Sequence, residues 1–225
     1  MKKILLTLLA IGLVACSKED EPTSSNDTNT IPTPTSTAYT YFVGKIDNKV
    51  AKYEAFISTD TKYIGIYGTS TSNFPVYNIN YSGGIESVSF GNDESIDIDF
   101  VNFMKGVDGI TESTHEKEFF DKLFKVGNYN FVSSGTDNKD KLGISITREF
   151  EGRNFYSGNL QPSSSYFKIL TVSSPEFQDG GVGQKIITIT GVFSCRLFDT
   201  SDVTKYTDLE DMSFKIMIKS DKSLM

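Results

Sequence analysis

Lys185-Ile186-Ile187-Thr188-Ile189-Thr190-Gly191-Val192-Phe193-Ser194-Cys195-Arg196-Leu197-Phe198 is the stretch that decides the fold. Ile187, Ile189, Phe193, Cys195 and Leu197 alternate with Thr188, Thr190, Ser194 and Arg196. A period of two places the first set on one face of a strand, against a core, and the second on the other; a helix would repeat every 3.6 residues. The same alternation recurs at Tyr39 to Ile46, Val50 to Ile57, Lys62 to Thr69, Phe74 to Tyr81, Ile85 to Phe90, Ser95 to Met104, Asn128 to Val132, Gly143 to Glu149, Tyr166 to Val172 and Met212 to Lys219. Asp47-Asn48, Ser82-Gly83-Gly84, Asp137-Asn138 and Gly180-Gly181 supply turn chemistry between strands. About eleven short strands predict an all-β domain, a mostly antiparallel β-sandwich of about 10–11 strands with a β-barrel as the alternative.

One short helix interrupts the strands. Ser113 and Glu116 have the spacing of a capping box, Phe119, Phe120, Leu123 and Phe124 recur at helical intervals, and Gly127 stands where a left-handed cap belongs. Its apolar stripe is expected to plug one end of the sandwich.

Composition narrows the chemistry. The 225 residues include two Cys, one His and no Trp, with 29 acidic against 22 basic side chains and a net charge of -7. These counts disfavour a disulfide scaffold, a Cys/His zinc site and a His-dependent hydrolase, and the acidic balance argues against a nucleic-acid partner. Cys195 reads as a buried core thiol and His115 as an exposed helix-start residue.

The chain begins with Lys2 and Lys3, then an apolar run from Ile4 to Val14, then Ala15-Cys16. Eleven apolar residues cover only about half of a ~30 Å hydrocarbon core as a helix, so the segment reads as a removable leader. Residues 17–38 hold ten Ser or Thr, three Pro and a single large apolar residue, Ile31. Such a tract cannot offset its ordering entropy by burial; as a flexible chain it would span roughly 26 Å. The expected organisation is a leader at 1–15, a modified Cys16 with a tether to 38, and one β-rich domain from 39 to 225.

Leu13-Val14-Ala15-Cys16 resembles the lipobox of bacterial lipoproteins. The resemblance implies cleavage before Cys16 and acylation of its thiol, with a diacylglyceryl thioether and an N-acyl chain such as palmitate as the anchor. Ser17 in place of an acidic residue implies sorting to the outer membrane. Ser17-Lys18-Glu19-Asp20-Glu21 resembles the export signal that sends some Gram-negative lipoproteins to the cell exterior.

Two acidic groups are candidate ligand or metal residues. In Ser95-Ile96-Asp97-Ile98-Asp99-Phe100 the alternation puts Asp97 and Asp99 on one face with Cα atoms about 6.6 Å apart, within the reach of paired-carboxylate glycoside chemistry. The stretch resembles the Glu-x-Asp-x-Glu strand of laminarinase-type glycoside hydrolases, with Ser95 at the nucleophile position and Asp99 at the acid/base position. A solvated outer sheet face is the competing reading. Asp199, Asp202, Asp208, Glu210 and Asp211 are expected in a long link between the last two strands, read as a solvated loop, with calcium as the alternative that oxygen ligands would suit. Tyr39, Tyr41, Tyr63, Tyr67, Tyr77, Tyr81 and Tyr156 include same-face pairs able to stack on sugar or peptide.

The last hundred or so residues resemble an uncharacterised domain family of Gram-negative lipoproteins. The shared features are Gly127-Asn128-Tyr129, Ile187-Thr188-Ile189-Thr190-Gly191-Val192-Phe193-Ser194 and Phe214-Lys215-Ile216-Met217-Ile218. The resemblance implies a β-sandwich lipoprotein and carries no catalytic residue. The expectation is an outer-membrane, surface-exposed lipoprotein acting as a non-enzymatic binding or adhesion module, with a glycan or protein partner in the envelope. A glycosidase using Asp97 and Asp99, or a structural subunit, are the alternatives.

Overall fold

The computed structural model describes residues 30–56, 62–72, 78–88, 94–105, 120, 122–132, 142–158, 160–174, 176–177 and 185–220. Cys16, Ser17 to Asp20, Ser113, His115 and the Asp137-Asn138 and Gly180-Gly181 turns lie outside these residues, as do the side chains of Tyr67 and Tyr77.

The alternating segments form strands: β1 (Thr40–Ile46), β2 (Lys49–Ala55), β3 (Tyr63–Ser72), β4 (Asn78–Ser87), β5 (Glu94–Lys105), β6 (Gly127–Tyr129), β7 (Gly143–Phe150), β8 (Arg153–Ser157), β9 (Tyr166–Val172), β10 (Glu176–Phe177), β11 (Lys185–Asp199) and β12 (Tyr206–Lys219). The protein is all-β, with one large and mostly antiparallel sheet. Hydrogen-bonded neighbours run β12, β1, β2, β3, β4, β5, β7, β8, β11, and β11 pairs back to β12, so the circuit closes. Among the described pairings only the β2–β3 contact at Ala55 and Tyr63 and the bridge between Phe131 and Ile144 are parallel. β11 carries β12 along one edge and β9, then β8, along the other.

The barrel is flattened, so that it is also two layers joined at both margins. Gly83 of β4 lies against β12, where a Cβ would come within 2.6 Å of the Met217 carbonyl oxygen. Its neighbour Gly84 leaves room for the Asp97 carboxylate, which a Cβ there would strike. The Ser82-Gly83-Gly84 segment is therefore not a turn. It lies inside β4, the two expected strands on either side of it are one, and the glycines serve close approach on both faces.

The inward parity carries the core. Phe42, Phe167, Phe193 and Phe214 form one aromatic cluster, with ring centroids 5.2 Å apart between Phe167 and Phe214 and 5.9 Å between Phe193 and Phe214. Gly191, paired with Phe214 across β11 and β12, is part of this packing: a Cβ on it would lie 2.5 Å from Cζ of that ring. Past the middle of β5 a second cluster gathers Tyr81, Phe100, Phe120 and Phe124. Phe120, Lys122 and Leu123 are helical, and Phe120 and Phe124 close that end of the barrel as the apolar stripe implied. Gly127 has a φ of 147° and opens β6.

Two hairpins turn on residues at positive φ. Asp47 and Asn48, at 49° and 62°, link β1 to β2 as their residue types require. Glu151 and Gly152, at 52° and 70°, link β7 to β8, a hairpin absent from the sequence reading. β12 also begins earlier than its alternation indicates. A bulge beside Asp211, at φ 49°, shifts its register against both β1 and β11. Thr207 and Leu209 are buried before the bulge, and Met212, Phe214, Ile216 and Ile218 after it. Asp208, Glu210 and Asp211 therefore belong to a strand and not to a long link.

Contacts to the sheet reach back to Thr35, whose backbone N–H and hydroxyl both donate to the Glu54 carboxylate. Ala38 is buried, and its carbonyl accepts from Lys215 Nζ at 3.0 Å.

Candidate functional site

The barrel end opposite Phe120 and Phe124 opens into a cavity of about 410 Å³. Three connections rim it: the Asp47-Asn48 turn, the Glu151-Gly152 turn and the short link from Thr200 to Lys205. Strand polarity explains the two ends. β5 enters the mouth at Glu94 and runs to the plugged end at Phe100, while β7 runs the other way and delivers Arg148 and Phe150 to the mouth.

Glu94 and Arg148 share the inward parity of their strands with Ile96 and Ile98, and with Ile144 and Ile146. They are charges on core-facing positions. Tyr53 OH donates to Glu94 Oε1 at 2.7 Å and Tyr63 OH to Oε2 at 3.1 Å, and the two phenol rings meet edge to face at 5.2 Å. Burial first, then interaction with Glu94, pushes both phenols well above the usual tyrosine range, so both stay protonated donors. Arg148 Nη2 lies 3.8 Å from Glu94 Oε1, too far for a hydrogen bond, and the guanidinium sits 4.4 Å over the Phe150 ring. Arg148 is 6% exposed, and its Nε is buried with no hydrogen-bond partner among the described residues. Leaving such a donor unmatched costs about 1–3 kcal/mol or more for a charged group, an amount a ligand acceptor would recover.

Lys49, Arg153 and Lys205 add three further cations to the cavity wall, and Asp47 one further acid. The Asp47 carboxylate accepts from Thr207 Oγ1 and from the Asp208 N–H, both at 2.9 Å, which fastens the first turn to β12. Asp208 itself takes a bidentate pair from Arg196, at 2.7 and 2.9 Å, and the Arg196 guanidinium stacks 3.7 Å over Tyr206, a ring that lines the cavity.

Asp97 and Asp99 lie on the outer face of β5, as alternation required, with Ile96, Ile98 and Phe100 fully buried behind them. Their surroundings are not those of a solvated face. Both are partly buried, Asp97 beside Gly84 and Thr147, Asp99 beside Ser82 and Ser145. Burial, then the charges of Asp99 and Glu86, raise Asp97 to about 7, with a hydrogen bond to Ser95 opposing the shift; burial raises Asp99 to about 6. Ser145 Oγ is buried with no partner. The pair lines neither the mouth cavity nor a smaller one of about 230 Å³ beside Cys195.

Asp199 and Asp202 are each committed to their own turn. Asp199 Oδ1 accepts from the Ser201 N–H and hydroxyl, at 2.8 and 2.6 Å. Asp202 Oδ1 accepts from the Thr204 N–H and hydroxyl, and its other oxygen pairs with Lys205 Nζ at 3.3 Å. These hydrogen bonds hold both carboxylates below the usual range. Among the described residues no group of three or more His, Cys, Asp or Glu is placed to hold a metal ion. Cys195 is buried, and burial raises its thiol pKa well above the ordinary value. The tyrosines go to structure more than to open surface: Tyr39 OH accepts from the Gly65 N–H at 2.8 Å, Tyr81 is in the core, and Tyr63 binds Glu94.

No family model matches the chain, and no curated protein or solved structure matches it either. Sequence reasoning missed Tyr53, Glu94, Arg148 and Arg153. The available signal was opposite charge at core parity on two strands, Glu94 before Ile96 and Arg148 after Ile146.

Proposed function

We propose that the protein is a lipid-anchored module of the outer membrane, facing the cell exterior, that captures a ligand in the barrel mouth without transforming it. The observation that carries the binding role is the difference between the two ends: one is filled by Phe120 and Phe124, the other left as a 410 Å³ cavity with convergent charged and aromatic side chains. That size and lining are those of ligand pockets. The anchor rests on Cys16 and its lipobox-like approach, and exposure on Ser17, Lys18, Glu19 and Asp20. The resemblance to an uncharacterised lipoprotein domain family belongs to the same reading.

The distribution of side chains favours tethering over insertion. A membrane-spanning barrel turns apolar residues outward, whereas here Phe42, Ile98, Phe193 and Phe214 face inward, and Asp97, Asp99, Lys215 and Lys219 lie on the opposite parity.

Screening the full-length protein in detergent against a glycan array and against envelope extracts tests the binding role. Ala51 lines the cavity from β2, and Ala51→Phe would fill it. Ligands are expected to bind the native chain and to lose at least tenfold in affinity for the filled variant; equal binding by both would contradict the proposal.

A further inference from the structure

We infer that the mouth cavity recognises an acidic sugar, its carboxylate seated on Arg148 and its ring against the aromatic wall; this rests on the binding role proposed above. Arg148 carries the inference. Its side chain is more than nine-tenths buried, lines the cavity and keeps a buried Nε–H that none of the described residues accepts. Glu94 faces Nη2 at 3.8 Å as an ion pair without a hydrogen bond, and its oxygens are engaged by two phenols. A guanidinium is planar, with donors spaced to match a planar carboxylate, and this one is held 4.4 Å over the Phe150 ring.

The charge of the wall agrees. Lys49, Arg148, Arg153 and Lys205 line it with Asp47 and Glu94; Lys205 pairs with Asp202 and Arg148 faces Glu94 at 3.8 Å, which leaves Lys49 and Arg153 as further cations in a chain whose net charge is -7. Both acids are occupied, Asp47 by Thr207 and Asp208 and Glu94 by Tyr53 and Tyr63. The cations are thus gathered where the rest of the chain supplies mostly acids. Tyr53, Phe150, Phe155 and Tyr206 also line the cavity, giving rings on which a pyranose can stack. A carboxylate without a sugar would leave that wall unused, and a neutral sugar would bring no counter-charge to Arg148.

The test is calorimetric titration of the full-length protein in detergent with trigalacturonate, its neutral methyl ester, and a tri-glutamate peptide. The acid sugar is expected to bind at least tenfold more tightly than either control, and to weaken as salt rises. Arg148→Gln should cost tenfold or more. Arg153→Gln, at an exposed position of β8, should cost about threefold while leaving the thermal transition in place. Equal binding of acid and ester, equal binding of the peptide, no binding of the acid sugar, or indifference to both Arg substitutions would overturn the inference. Loss of an equally tight ester signal in Ala51→Phe would show a ligand site that does not read charge. If no bound probe responds to Ala51→Phe, the binding role itself fails.

Discussion

Glu94 and Arg148 face each other at 3.8 Å inside one end of a closed sheet, with the Glu94 oxygens taken by Tyr53 and Tyr63. Each is inward-facing on a strand whose other inward residues are Ile and Phe. Removing one side of such a pair leaves a buried charge uncompensated. Glu94→Gln should destabilise the protein by about 2–4 kcal/mol, read as a shift in the urea midpoint. Combining it with Arg148→Met should recover part of that loss, and additive losses would argue against coupling.

Asp97 and Asp99 make stability depend on pH. Their folded values of about 7 and about 6 lie above the 3.8 of an unperturbed Asp, so the folded state binds protons that the unfolded chain has released. The stabilisation is complete below 3.8 and is lost as pH rises through 6 and 7. Between pH 5 and pH 8 the native protein should lose stability, and Asp97→Asn should reduce that loss by about 1–3 kcal/mol. An unchanged pH slope in chemical denaturation would contradict the burial of this pair.

Gly191 gives the β11–β12 pairing its room for the Phe214 ring. Gly191→Ala should cost about 1–3 kcal/mol or more, because a Cβ there would strike the Lys168 carbonyl oxygen of β9 as well as the Phe214 ring. A melting temperature equal to the parent's would contradict the close approach of β9 and the Phe214 ring to this position.

Cys195 should be chemically silent in the folded protein. Burial raises its thiol pKa, and its strand neighbours on the same face are Phe193 and Leu197. A thiol reagent should modify it only in denaturant; rapid labelling of the native state would contradict this.

Periodicity made most of the sheet legible. Lys185–Asp199 alternates from Ile187 to its end and Tyr166–Val172 as far as Ile169, where its register against β11 shifts, and the Asp47-Asn48 pair has the residue types that a two-residue hairpin needs. Three features escaped because the pattern changes for tertiary reasons. The bulge at Asp211 flips the parity of β12, so its first residues resemble an acidic loop. Gly83 and Gly84 look like a turn, yet they answer to Met217 and Asp97, which are remote in sequence. The half-burial of Asp97 and Asp99 depends on what surrounds the outer face, which alternation cannot convey. The mouth site was encoded more openly, as a Glu and an Arg at core parity, but only the register that brings β2, β5 and β7 to one end gives those charges a shared cavity.

The proposed role at the cell surface depends on the fate of Cys16 more than on any contact in the barrel. Intact-mass and peptide mass spectrometry of the protein taken from its native membrane tests this directly. The expected result is a chain beginning at Cys16, lacking residues 1–15 and carrying a thioether-linked diacylglyceryl group with an N-acyl chain. A native chain that retains Met1 to Ala15, or begins at an unacylated Cys16, would contradict it.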